Sequence, residues 1–255
     1  MKSFEKTGES VWKKGTDVLL DLLFPPTCEI CHQVQQQGRY LCEHCNKNLP
    51  RIAEPCCEKC GEMFEGNIQS SFVCPNCAGL DYAFSFARPV LDCSDAAREL
   101  IHHFKYSRAI HLARDLASIA AEAFDDPRFQ RALEQRWPLV PVPLHWRRRQ
   151  HRFFNQSEEI ARHLGKMLDL PVVPALKRIR ATETQTHLSR KKRLQNLRGA
   201  MQLSRHGKTL LRKNPPAGAV LIDDVFTTGA TVHECAKILH ANRFENVVVV
   251  TVMRG

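Results

Sequence analysis

The sequence contains no run approaching the ~18 consecutive apolar residues that a membrane-spanning helix needs. Its first hydrophobic stretch, Val18 to Phe24, is short, is interrupted by Asp21 and carries no small-residue cleavage site, which argues against a signal peptide. Val11, Trp12, Leu19, Leu20, Leu23 and Phe24 instead fall near helical spacing, with Lys13, Lys14, Asp17 and Asp21 between them. Residues 1–24 therefore read as an amphipathic leader helix packed on its own protein, with no membrane insertion. Without an export signal the expected location is cytoplasmic, where thiols stay reduced and paired cysteines serve metals rather than disulfides. Low-complexity tracts are absent, as is any internal repeat beyond a duplicated cysteine pattern.

Acids are scarce in one block of the chain. From Leu144 to Asn214 there are 18 Lys/Arg against four acids (Glu158, Glu159, Asp169, Glu183), whereas the whole chain has 37 against 27. The net charge of +10 is thus concentrated here, and the remainder of the chain is net acidic. Such a block points to phosphate-bearing partners, nucleotide or nucleic acid, and the plainer reading is a solvated cationic surface.

Ten of the 11 cysteines lie between Cys28 and Cys93, and eight of them form Cys-x-x-Cys pairs: Cys28/Cys31, Cys42/Cys45, Cys57/Cys60 and Cys74/Cys77. Two residues between thiolates let both sulfurs reach one ion, and two such knuckles complete the tetrahedron that zinc prefers. Gly38, Gly61 and Gly66 with Pro25, Pro26, Pro50, Pro55 and Pro75 supply the turns. Residues 25–79 accordingly read as a double zinc ribbon holding two structural zinc ions. All-cysteine sets leave no open coordination position, which makes these ions structural rather than catalytic. Sequential pairing is the simpler connectivity. Interleaving also fits the spacing, and Cys56 could replace Cys57 by a one-residue slip.

The composition changes after Cys77. Ala83 to Val90 reads as a strand, and Ala96 to Ala123 as one or two helices with an apolar face, ended by Asp125-Asp126-Pro127. The sharpest signal follows later, in Val220-Leu221-Ile222-Asp223-Asp224-Val225-Phe226-Thr227-Thr228-Gly229-Ala230-Thr231. An apolar strand runs into two acids, a hydroxyl- and glycine-rich turn, and a helix beginning near Ala230. Amides at such a helix N-terminus cradle anions, and Gly229 lets the backbone approach a phosphate closely. Two successive carboxylates just before a phosphate loop suit the adjacent hydroxyls of a ribose.

This segment resembles the phosphoribosyl pyrophosphate (PRPP) motif of type I phosphoribosyltransferases, and two further stretches resemble the rest of that site. Trp137 to Leu144 reads as a strand ending in prolines, the basic turn from His145 to Arg149 looks like the pyrophosphate loop, and Asn155-Gln156-Ser157-Glu158 opens a helix running to about Leu168. Arg178 to Ala200 looks like the mobile flap. With the cysteine pairs ahead, the whole chain resembles the ComF family, a double zinc ribbon fused to a phosphoribosyltransferase-like domain. The resemblance rests on Pro141-Val142-Pro143-Leu144, Arg148 and Arg152-Phe153-Phe154-Asn155-Gln156, with Phe153 standing where the family pattern has glycine.

The resemblance implies an α/β fold, a parallel sheet flanked by helices, over residues 80–255. It also implies a site for PRPP with magnesium. Asp223 and Asp224 would grip the ribose hydroxyls, and Thr227 to Thr231 would hold the 5′-phosphate, with Val225, Phe226, Thr228, Gly229 and Ala230 in the PRPP-binding set. Arg148, Arg149 and Arg152 would neutralise the pyrophosphate, with Lys191 or Arg193 closing over it; Asp223, Asp224, Arg148 and Lys191 form the catalytic set of a PRPP-dependent transferase. Members of the family are associated with natural competence and incoming single-stranded DNA, and a related branch with gluconate use. That makes single-stranded DNA and competence-machinery proteins the expected partners. Trp146, Arg147, Arg190 and Lys192 are the expected nucleic-acid contacts, an aromatic set among cations. Trp146, Phe153 and Phe154 lie among Arg147–Arg149 and Arg152, an arrangement that suits stacking on unpaired bases, and core packing is the favoured reading for Phe153 and Phe154. The last strand, Asn246 to Val252, is followed only by Met253-Arg254-Gly255, so any hood over an acceptor would come from the ribbons or residues 80–105.

Overall fold

Asn246–Arg254 reads Asn-Val-Val-Val-Val-Thr-Val-Met-Arg, a β-branched run whose residues after Asn246 are all buried. A strand apolar on both faces belongs in the middle of a parallel sheet covered by helices. The computed structural model places it there. It describes residues 25–35, 38–64, 66, 72–146, 150, 152–180, 197–213 and 215–255. The expected leader helix over residues 1–24 lies outside them, as do Arg147, Arg148, Arg149, Arg190, Lys191 and Lys192.

The chain divides into two compact units, Met1–Asn48 and Leu49–Gly255. Among its described residues the first holds the leading knuckles and a short helix, α1 (Glu43–Asn48). The second holds β1 (Ala87–Leu91), α2 (Asp95–Tyr106), α3 (Ala113–Ala121), α4 (Gln130–Glu134), β2 (Leu139–Pro141), α5 (Gln156–Leu168), β3 (Leu176–Arg178), β4 (Met201–Leu203), α6 (Arg205–Lys213), β5 (Gly218–Phe226), α7 (Ala230–His240) and β6 (Asn246–Arg254). Four strands form an all-parallel sheet in the order β1-β6-β5-β2. The register sets Asp223 beside Thr251 and Phe226 beside Arg254.

The local reasons for these elements are visible in the chain. Ser94 caps α2 by accepting the Ala97 N–H at 3.2 Å, and Asp126 accepts the Arg128 N–H at 3.0 Å where the helical run stops at Pro127. Helix α5 ends with Asp169 in the left-handed region, its carboxylate paired with Arg136 at 2.7 Å. Strands β3 and β4 form a separate antiparallel pair, Leu176 opposite Leu203. They bracket most of the expected flap, whose residues 181–196 lie outside the described set. The core carries Val140, Leu221, Phe226, Val232 and Val249 together with Cys57, Cys60, Cys74 and Cys77.

Candidate functional site

Two sets of four cysteines converge. In each set the sulfur atoms of Cys28, Cys31, Cys42 and Cys45, and of Cys57, Cys60, Cys74 and Cys77, lie within 4.8 Å of one another. Cys31 Sγ and Cys42 Sγ are 3.7 Å apart, as are Cys60 Sγ and Cys74 Sγ. A tetrahedron of thiolates ~2.3 Å from a zinc ion has edges of about 3.8 Å, so both sets fit a structural zinc. The backbone supports the sulfurs: the Cys42 N–H donates to Cys28 Sγ at 3.4 Å, and the Cys74 N–H to Cys57 Sγ at 3.3 Å. Burial pushes the Cys45 thiol up, and the Cys77 thiol with burial does the same to Cys60. Thiols so placed ionise when a cation compensates them. The connectivity is sequential. Cys56 stands outside the second set, its thiol donating to Glu54 Oε1 at 3.3 Å and accepting from Arg88 Nη1 at 3.1 Å.

The second centre of chemistry lies at the C-terminal end of β5. Asp223 Oδ1 accepts from Ser157 Oγ at 2.8 Å and from the Asp224 N–H at 3.0 Å. Asp224 Oδ1 is paired with Lys105 Nζ at 3.0 Å. Burial, and then the neighbouring Asp224 charge, push the Asp223 carboxyl up to about 7, against the opposing effects of Ser157 and Lys105. Ser157 lies in the Asn155-Gln156-Ser157-Glu158 helix opening, whereas no motif marks Lys105; each reaches the acids from another helix, α5 and α2.

Beyond the acids the chain turns into α7 through Thr227, Thr228 and Gly229. Gly229 has φ +73°, and a Cβ there would lie 2.8 Å from Phe226 Cζ and 3.1 Å from Tyr82 Cε1, so only glycine passes without strain. The carbonyls of this turn are pinned from behind. Arg254 Nη1 donates to the Phe226 carbonyl at 3.2 Å and the Thr227 carbonyl at 3.1 Å, and the Tyr82 hydroxyl donates to the Thr228 carbonyl at 2.9 Å. Arg254 is itself held by Glu62. In a trans peptide the N–H points opposite to its C=O. The amides of Thr227, Thr228 and Gly229 therefore face away from Arg254 and Tyr82. The first-turn amides of α7, to which Gly229 offers no side-chain cap, add to the same positive end.

The expected site residues separate into groups. Asp223, Asp224, Thr227, Thr228, Gly229 and Thr231 line one strand end, turn and helix start. Val225 belongs to the same strand, whereas the Phe226 ring and Ala230 are buried and contribute backbone and packing. Arg152 donates to Gln156 Oε1 at 3.2 Å and to the Tyr106 hydroxyl at 3.1 Å. Trp146 is exposed. Phe154 packs against Phe104 as expected, at 5.3 Å between ring centres. Phe153 does not enter the core: it is 60% exposed with φ +67°, because a left-handed residue at this bend turns its side chain outward. Glu234 of α7 accepts the Gly199 N–H at 3.2 Å and anchors the far end of the flap segment.

Two four-cysteine sets that fit zinc, together with a parallel α/β sheet whose acid pair precedes a glycine turn and helix, define a zinc-ribbon protein with a phosphoribosyltransferase-like fold. A family model described as "Double zinc ribbon domain" matches residues 19–78. The chain is 30% identical over 212 residues to "Competence protein F" of Haemophilus influenzae, covering 82% of this chain and 88% of that protein. It is 30% identical over 225 residues to "DNA utilization protein YhgH" of Escherichia coli K12, covering 87% and 93% respectively. To "Competence protein ComFC" of Bacillus subtilis it is 25% identical over 225 residues, covering 85% and 80%. The chain belongs to the ComF family. No helix among the described residues is long and apolar enough to cross a membrane.

Proposed function

We propose that this protein binds PRPP with magnesium at the β5–α7 turn, binds single-stranded DNA, and acts on the cytoplasmic side of DNA uptake with competence-machinery proteins. The observation that carries the reading is the pair Asp223–Asp224, each acid held by a different helix through Ser157 and Lys105, ahead of a turn whose amides face outward. Vicinal hydroxyls offer two donors and the two carboxylates offer acceptors. A 5′-phosphate accepts from the Thr227–Gly229 amides and the hydroxyls of Thr227, Thr228 and Thr231. Arg148, Arg149 and Arg152 neutralise the pyrophosphate, with Lys191 on the flap. Magnesium carried with PRPP would supply charge neutralisation for the pyrophosphate beside Asp223 and Asp224. The names of the relatives, competence and DNA utilisation, support the uptake role. The basic block with exposed Trp146, Arg147, Arg190 and Lys192 supports contact with single strands, in the micromolar range at low salt.

The test is calorimetric titration of PRPP with magnesium into the zinc-loaded protein and into Asp223→Asn/Asp224→Asn. Binding that the variant loses supports the site. Pyrophosphate release with added acceptors would make it an active transferase. No binding by folded wild type would leave DNA handling as the function of the fold.

A further inference from the structure

A few residues along the chain from Lys105 and Ser157, which hold the acid pair, two strained residues meet face to face. Phe153 and Arg108 both occupy the left-handed region, φ +67° and +56°, which residues with a β-carbon avoid. The guanidinium of Arg108 lies 3.7 Å from the Phe153 ring centre. Such strain persists where the surroundings impose it and is a reason to look for function. Core packing does not account for it, since the Phe153 ring stays 60% exposed and its neighbour Phe154 fills the buried position.

The arrangement is doubled nearby. Tyr106 is 61% exposed, and the Arg152 guanidinium lies 4.9 Å from its ring centre while Nη2 donates to its hydroxyl at 3.1 Å. Both rings adjoin the acids through the chain. Tyr106 follows Lys105, which holds Asp224, and Phe153 precedes the start of α5, whose Ser157 holds Asp223. Arg108 covers part of the Phe153 ring, and Arg152 together with the His102 ring at 4.8 Å covers part of Tyr106; at these exposures an area of each ring still faces solvent.

We infer that Phe153 and Tyr106, each backed by an arginine, form a two-ring platform that stacks the unpaired bases of a single DNA strand next to the acid pair. Flat π-faces interleaved with cations match bases alternating with phosphates. A duplex keeps its base faces stacked inside and offers nothing to such rings. The inference rests on the DNA-handling part of the proposed function and assigns that contact to the end of α2 and the bend before α5.

Phe153→Gly tests it, because glycine suits the positive φ and removes only the ring. The probes are a labelled oligothymidylate and a strand of equal length built of abasic sites, titrated at low salt. Wild type binds the thymidylate more tightly, and the variant loses about tenfold on thymidylate and nothing on the abasic strand, with a melting temperature no lower than wild type. A variant that binds thymidylate like wild type overturns the platform while leaving DNA binding intact. Wild type that does not distinguish the two strands overturns it too, since phosphates alone then explain the affinity. Wild type that binds neither strand defeats the DNA reading and the platform together. Free thymidine in excess that displaces the strand from wild type assigns the rings to a small acceptor and overturns the strand as occupant.

Discussion

Replacing Cys74 by serine should damage the α/β unit, whereas replacing Cys42 should not. Cys57, Cys60, Cys74 and Cys77 belong to the same buried cluster as Tyr82, Phe84, Phe226 and Val249, and all of these lie in the Leu49–Gly255 unit. From that cluster Tyr82 reaches the Thr228 carbonyl, and Glu62, two residues after Cys60, holds Arg254 behind the same turn. A structural zinc contributes roughly 10–16 kcal/mol of apparent folding free energy, so an equal share for one of four ligands is about 2.5–4 kcal/mol. For a unit of this size each kcal/mol moves the melting temperature about 2–4 °C, giving a loss of about 5–16 °C. Differential scanning calorimetry with zinc counted by mass spectrometry provides the assay. Cys74→Ser should lower the main transition and weaken PRPP binding. Cys42→Ser should weaken the first zinc site and leave that transition in place. Cys56→Ser should keep both zinc ions, because its sulfur is engaged with Glu54 and Arg88. Equal melting of the Cys74 and Cys42 variants would refute the reasoning.

Gly229→Ala places a β-carbon at φ +73° within 2.8 Å of Phe226; the left-handed and overpacking penalties together predict a loss of about 2–4 kcal/mol in chemical denaturation, and a loss below about 0.5 kcal/mol would contradict the turn geometry. The Asp223 carboxyl, raised to about 7 in the folded protein from an ordinary value of 3.8, binds its proton more tightly folded than unfolded. Its contribution to stability is therefore largest below about pH 4 and is lost as pH rises towards 7, with a slope of at most about 1.4 kcal/mol per pH unit. Relative to wild type, Asp223→Asn should gain stability between pH 5 and pH 8, measured by urea midpoints; a pH-independent difference would place the proton elsewhere.

The parts of the site legible in the sequence are those built from neighbouring residues. A Cys-x-x-Cys knuckle, or two acids followed by a threonine-glycine turn, declares its chemistry within a dozen positions. The residues whose contacts sequence reading passed over act across the fold. Lys105 and Ser157 reach the acids from α2 and α5, and Tyr82 and Arg254 reach the turn from outside its segment. Arg254 lay just past the expected last strand, yet β6 continues through it, which is what aligns its guanidinium with the Phe226 carbonyl. Residues Ala83 to Val90 were expected as a strand, and the ladder forms at Ala87–Leu91, because β6 offers its pairing edge there. Phe153 reads as apolar and hence core, but core placement needs a permissive backbone, and a left-handed φ decides its direction before hydrophobicity can. The short antiparallel pair β3–β4 carries three residues per strand, too few for alternation to register.

A crystal structure of the zinc-loaded protein with PRPP and magnesium tests the central claim most directly. The account predicts the 5′-phosphate within hydrogen-bond distance of the Thr227–Gly229 amides and of Thr231, and the ribose hydroxyls on Asp223 and Asp224. A ligand held by the basic block with the β5–α7 turn empty would contradict it.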